Sequence, residues 1–339
     1  MTLKLGLELP YTEMHERDAM LALARDAEAL GYDAIWVSEL YSFDAFTTLT
    51  HLAVGTDRIK LGTNIANIYA RTPAMLASTA ASLDQISGGR FILGIGVSGP
   101  QVIEGWHGVP YDKPLARTRE TIEIVRQIVA GDRLVHEGHV FNVTKGLKLI
   151  NKPFRPDLPI YVASLGPKNV ELTAELADGW LPTFFSPAHA KDVFGPALDA
   201  GRAKRSPALG PLEIAPMVPA LAGDVSVARE VMRWGVGFYV GGMGSREKNF
   251  YNALVRRYGY VEEAERIQDL FLSGDKQAAI AAVPDELVDA VCLAGDDARL
   301  RDGLAAFEDA GVTAIVVGPM APDAESRRAT LEAIARANS

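Results

Sequence analysis

Short runs with almost no polar residue recur along this chain, most of them followed by a helical pattern. That alternation narrows the fold more than any other feature. Residues 3–9, 34–37, 59–62, 91–95, 159–163, 179–182, 212–218 and 313–317 read as strands. Helical patterns cover 18–30, 43–54, 72–85, 168–177 and 324–337. A strand wetted on one face alternates polar and apolar residues. These runs do not, so both faces are buried, as in a parallel sheet covered by helices. Eight strand–helix units predict an α/β fold, a TIM (β/α)8 barrel. Gly31 and the Ser87-Gly88-Gly89 run stop two of the helices, where glycine accepts the left-handed turn.

Two stretches exceed a simple connection. One spans about 99–156, after the fourth strand, with a helix at 115–130 and a hairpin at 134–143 turning at Glu137-Gly138. The other spans about 225–301, after the seventh, and reads as helical throughout. Neither has the polar, repetitive composition of a linker. Both are expected to be insertions capping the active face of a single domain over 1–339. The 339 residues are 48% hydrophobic, enough for one large core.

Several functions are excluded early. A net charge of −9 argues against nucleic-acid binding, which needs a basic face. The one cysteine, Cys292, rules out a disulfide framework. No basic-then-apolar leader opens the sequence, and no apolar run nears the ~20 residues of a membrane span. A cytoplasmic protein is expected.

In a barrel, chemistry collects at the C-terminal strand ends. Those ends carry Glu8-Leu9-Pro10, Ser38-Glu39-Leu40-Tyr41, Thr63-Asn64-Ile65, Gly96-Val97-Ser98-Gly99, Ser164-Leu165-Gly166-Pro167 and Thr183-Phe184-Phe185. There are two carboxylates, no histidine, no cysteine and no metal-binding spacing. Backbone-rich turns converge instead, which suits a bound cofactor that carries the reactivity itself. Gly94-Ile95-Gly96-Val97-Ser98-Gly99 matches a dinucleotide fingerprint in form, but Pro100 and a long insertion follow in place of the expected helix and second strand. Gly166, just before a helix, is a physically reasonable phosphate seat.

The stretch Leu83-Asp84-Gln85-Ile86-Ser87-Gly88-Gly89-Arg90 running into Gly94-x-Gly96 resembles the bacterial-luciferase-like flavin and deazaflavin oxidoreductases. Gly62-Thr63-Asn64-Ile65, Ala163-Ser164-Leu165-Gly166-Pro167, Ala177-Asp178-Gly179-Trp180 and Pro114-Leu115-Ala116-Arg117-Thr118-Arg119-Glu120 extend the likeness over nearly the whole chain. The branch it most resembles uses coenzyme F420 and includes methylene-tetrahydromethanopterin reductase.

The resemblance implies a hydride-transferring oxidoreductase acting between C5 of the deazaflavin and a small organic substrate. It also implies a homodimer formed through helices such as 72–83. A non-proline cis peptide is expected at Asn64–Ile65, bulging against the ring. Gly96, Val97 and Ser98 would meet the ring edge or side chain. Ala163, Ser164, Leu165, Gly166 and Pro167 would approach the ribityl-phosphate part. Glu8 and Glu39 would be the catalytic carboxylates, Glu39 also touching the cofactor. Arg246 and Lys248 would meet the anionic tail. Tyr41, Tyr69, Trp106 and Trp180 are candidates for lining a pocket. Relatives place an Asp-His pair where this chain has Glu39-Leu40, and Leu40 cannot shuttle a proton as that histidine would. An FMN-dependent monooxygenase and a non-catalytic flavin- or deazaflavin-binding protein stay open as alternatives.

Overall fold

The computed structural model describes residues 2–11 and 13–339. It is an α/β fold built on a curled parallel sheet. From one end, the strands run Glu213–Ile214, Gly179–Trp180, Ile160–Val162, Phe91–Gly96, Lys60–Thr63, Ala34–Val37, Lys4–Glu8, Ala314–Pro319, Met217–Ala222 and Leu293–Gly295. Every ladder in it is parallel. The run at 212–218 is thus broken between two strands, Glu213–Ile214 and Met217–Ala222, with backbone hydrogen bonds on both sides. On one side Ala215 N donates to the Trp180 carbonyl (2.9 Å) and Met217 N to that of Pro182 (2.9 Å). On the other, Thr313 N donates to Ile214 O (3.0 Å) and Val316 N to Pro216 O (2.9 Å).

The inside of the curl is filled by side chains. Ala34, Trp36, Ile92, Tyr161, Leu181, Ala215, Ala314 and Val316 form a separate buried cluster. Trp36 and Tyr161 dominate it, with ring centroids 5.6 Å apart. Facing positions have no side chain because there is no room. A Cβ on Gly62 would lie 2.3 Å from the Trp36 ring, and one on Gly179 would lie 2.4 Å from Tyr161. The interior is therefore a plug, and a ligand must sit above it.

Helices cover the outside, and several are capped by side chains. Thr72 accepts from Met75 N at the start of Pro73–Ile86, and Asp323 caps Ala324–Ala337. Some elements differ from expectation, helix Pro100–Gly105 and strand Ala66–Asn67 among them. Helix Pro187–Arg202 escaped the reading because Pro196 and Gly195 interrupt its pattern. The stretch 225–301 is not helical throughout: Leu293–Gly295 is a strand paired with Ala220–Ala222. Three residues are too few to show a period. Among the described residues, no helix is long and apolar enough to cross a membrane.

Candidate active site

The stretch that carried much of the resemblance is scaffold. It precedes strand Phe91–Gly96 and so lies at the end opposite the mouth. Gly88 and Gly89 take positive φ to end the helix. Arg90 then donates to the carbonyls of Ala53, Thr56, Ile59 and Ser87. Asp84, 1% exposed, receives both Arg155 Nε and Nη2 at 2.8–3.1 Å. Gly94 is likewise structural. A Cβ there would lie 1.8 Å from the Thr63 carbonyl, whose own hydroxyl bonds the Gly94 backbone on both sides.

At the opposite end, three strand exits meet. Asn64–Ile65 is a cis peptide, and beyond it Ala66–Asn67 resumes pairing with the end of Phe91–Gly96. Ile65 and Ala163 pack on the inner cluster. Gly96 faces both: a Cβ on it would come within 2.9 Å of Ile65 and 3.5 Å of Ala163. The three make an apolar floor. Val97 and Ser98 are half-buried beside it, and Ser98 holds φ +54, a conformation a non-glycine residue keeps only where its surroundings impose it.

Glu8 stands at this floor. Asn64 Nδ2 donates to its Oε2 at 2.9 Å. Ser38 Oγ contacts its Oε1 and, at 2.8 Å, the Asn64 carbonyl. A hydroxyl has one proton, and two acceptors compete for it. Protonation of Glu8 resolves the contest, because the acid O–H then donates to Ser38 while Ser38 donates to Asn64. Electrostatics agree: burial pushes the Glu8 carboxyl up to about 8, against the hydrogen bonds from Ser38 and Asn64 that pull it down. Burial and the hydrogen-bond pattern both favour the protonated form of Glu8.

Glu39 departs from expectation. It is buried, and Arg71 binds both its oxygens at 2.7 Å while Asn67 N donates to Oε2 at 2.9 Å. Three fixed donors, two of them from one guanidinium, hold the carboxylate in place. Its work is to hold Arg71, which also pairs with Asp44, and the backbone of Asn67. Asn67 itself was missed. It is 1% exposed and its Nδ2 has no hydrogen-bond partner, an unmet donor beside Gly96 in the ladder.

Around the next exit, Ser164 turns inward, its hydroxyl 2.9 Å from Thr173 Oγ1 and its carbonyl accepting from the Trp180 indole at 2.9 Å. Its hydroxyl is thus buried against Thr173. Leu165 is half-buried, while Gly166 and Pro167 are exposed ahead of helix Pro167–Leu176. Lys168 is in that first turn. Arg257 reaches the same turn from helix Phe250–Arg257, donating to Leu165 O at 3.2 Å. Nothing in its sequence neighbourhood marked Arg257, because 92 residues separate it from Leu165. Arg246, by contrast, is paired with Asp269 on an exposed surface.

Trp180 is fully buried among Phe185 and Phe194, and Tyr69 is buried with its hydroxyl on Asp112 O. Neither lines a pocket. Tyr41 and Trp106 remain exposed at the rim, 6.5 Å apart. Among the described residues, no three His, Cys, Asp or Glu are placed to hold a metal ion.

Residues 5–314 match the model of the luciferase-like monooxygenase family. The chain belongs to this family of oxidoreductases. A Mycobacterium tuberculosis protein described as a coenzyme F420-dependent oxidoreductase is 40% identical over 93% of this chain and 94% of its own length. The 5,10-methylenetetrahydromethanopterin reductase of Archaeoglobus fulgidus is 33% identical over 95% of each chain. The structure of the F420-dependent tetrahydromethanopterin reductase of Methanopyrus kandleri superposes with a TM-score of 0.84. That pair is 27% identical, with 99% of this chain and 98% of that one covered. An F420-dependent secondary alcohol dehydrogenase, 20% identical over all of both chains, shares the fold at a TM-score of 0.79.

Proposed function

We propose that this protein is a coenzyme F420-dependent oxidoreductase in which Glu8 carries the reaction's proton. The observation that carries the reading is the Glu8–Ser38–Asn64 set, holding a protonated acid beside a flat apolar floor. The names of the relatives support F420 as the cofactor.

The residues present fit such a group. Ile65, Ala163 and Gly96 form a surface for a planar ring, and Gly96 leaves it unobstructed. Val97 and Ser98 flank its edge, and Asn67 Nδ2 offers an unmet donor. The turn at Leu165, Gly166 and Pro167, with Lys168 and Arg257 beside it, suits a phosphate. When bound, the deazaflavin supplies or accepts the hydride at C5. The chain's part is to hold that ring on its floor and keep water off the reacting carbon. It also delivers or takes a proton at Glu8 Oε1, with Ser38 as the next oxygen in line.

We also propose that the curled sheet is a closed TIM barrel. The two-sided pairing of residues 213–222 and the filled interior support this. The insertions after its fourth and seventh strands would belong to the same domain over 1–339. The exposed Val54, Met75 and Ile86 on neighbouring helices support a homodimer, with molecular mass in solution as its test, and a cytoplasmic location is proposed with it.

Titrating the purified protein with F420 and with FMN, followed by cofactor fluorescence, tests the assignment. Saturable F420 binding with none of FMN is expected. FMN binding alone would replace the reading with the monooxygenase alternative. F420 binding without hydride transfer to any acceptor would replace it with the non-catalytic one.

A further inference from the structure

Between helix Pro114–Val129 and strand Ile160–Val162 the chain makes a two-stranded hairpin, Leu134–Glu137 against Asn142–Leu147. It is pinned on its inner side. The Glu120 carboxylate accepts from the backbone N–H groups of His139, Val140 and Phe141 at 2.8–3.2 Å. Gln127 accepts from Val135 N at 3.3 Å, and Arg133 donates to Gly146 O at 2.8 Å. Leu134 is buried beneath the hairpin. Past its second strand, Arg155 holds Asp84 and the Phe91 carbonyl, at the end of the sheet away from the mouth.

The outer side of this arm is apolar and wet. Leu147 is 78% exposed, Ile150 is fully exposed, and Val135 and Phe154 are more than half exposed. Single exposed apolar residues are ordinary, but four on one pinned arm mark a surface that another molecule covers. The arm is continuous with a second apolar face. A Cβ on Gly89 would lie 2.7 Å from the Phe154 ring, three residues beyond the exposed Ile86 that ends helix Pro73–Ile86. Met75 of that helix and Val54 of the adjoining helix Ala45–Gly55 are exposed as well.

The arm's charge is opposite to that of the rest of the molecule. Residues 133–152 carry Arg133, Lys145, Lys148 and Lys152 against one acid, Glu137, in a chain of net charge −9. The remainder is therefore more acidic than the chain as a whole. One chain thus offers both a basic, apolar arm and an acidic body with an apolar helix face. A two-fold arrangement lets each arm meet the other copy's body, so both surfaces are covered at once.

We propose that this arm clasps a second copy of this chain, seating Leu147 and Ile150 on the helix face of that copy and its lysines against the acidic body. The proposal rests on the homodimer reading above and names the element that holds it.

Sedimentation equilibrium on the full chain tests it. Wild type is compared with Leu147→Glu plus Ile150→Glu, with Lys145→Glu plus Lys148→Glu, and with Met75→Glu. The arm positions are exposed, so circular dichroism should show both arm variants folded. A wild-type dimer is expected, weakened at least about a hundred-fold by the apolar pair and about ten-fold by the lysine pair. Added salt should weaken the wild-type dimer more than the lysine variant. A wild-type dimer whose affinity the apolar pair leaves unchanged would overturn the arm, and its dissociation by Met75→Glu would show the homodimer reading standing without it. A monomeric wild type would overturn both. If that monomer cosedimented with phosphatidylserine vesicles and the arm variants did not, the surface would belong to a membrane instead.

Discussion

Replacing Glu8 by Gln should remove a pH dependence from the protein's stability. The carboxyl has its ordinary value of 4.5 in the unfolded chain and is pushed up to about 8 in the fold. An acid with a raised native value binds its proton more tightly when folded. Its stabilising contribution is therefore greatest at low pH and is lost as pH climbs from 4.5 through 8. Integrated between pH 6 and pH 8, linkage gives a loss of about 2 kcal/mol, with little further change above pH 9. Gln reproduces the neutral acid, its carbonyl accepting from Asn64 Nδ2 and its amide donating to Ser38 Oγ, so the variant should fold normally. Urea denaturation of both proteins at pH 6, 7, 8 and 9 measures the difference. Wild type should lose about 2 kcal/mol relative to Glu8→Gln between pH 6 and 8. Parallel curves over that range would mean that Glu8 is ionised in the native state, and the proton assignment would fall with it.

Further outcomes follow from the same geometry. If Glu8 donates the proton, the rate of acceptor reduction should fall as pH rises through about 8, and Glu8→Gln should lower turnover more than F420 affinity. Gly94→Ala, which sets a Cβ against the fixed Thr63 carbonyl, should prevent folding; a thermal midpoint within a few degrees of wild type would refute the close approach. Arg155→Met leaves buried Asp84 uncompensated and should cost about 3–5 kcal/mol in urea denaturation, with F420 affinity unchanged. Arg257→Met should weaken F420 binding and flatten its salt dependence if the Leu165–Pro167 turn seats a phosphate. Equal affinity at low salt would move the phosphate elsewhere.

Local rules made much of the scaffold legible. All-apolar runs mark strands buried on both faces, and helix stops at Gly31 and Gly88-Gly89 follow from φ preferences that need no partner. The cis bond at Asn64–Ile65 was likewise expected, through resemblance. Other features had no local signal. Leu293–Gly295 is too short to have a period. The glycines at 62, 94 and 179 are demanded by a tryptophan, a carbonyl and a tyrosine elsewhere in the chain.

For the site, the sequence by itself determined which residues stand at the strand exits, because chain direction within a parallel sheet dictates them. Only the tertiary structure decided what those residues are free to do. Glu8 and Glu39 look equivalent in the sequence. Arg71 binds one with a charged partner, while Ser38 and Asn64 bind the other with neutral ones. Arg257 reaches the Leu165–Pro167 turn only when the helices after residue 225 fold back toward it. Charge state and access depend on which groups lie within a few ångströms in space, and spacing along the chain does not record that.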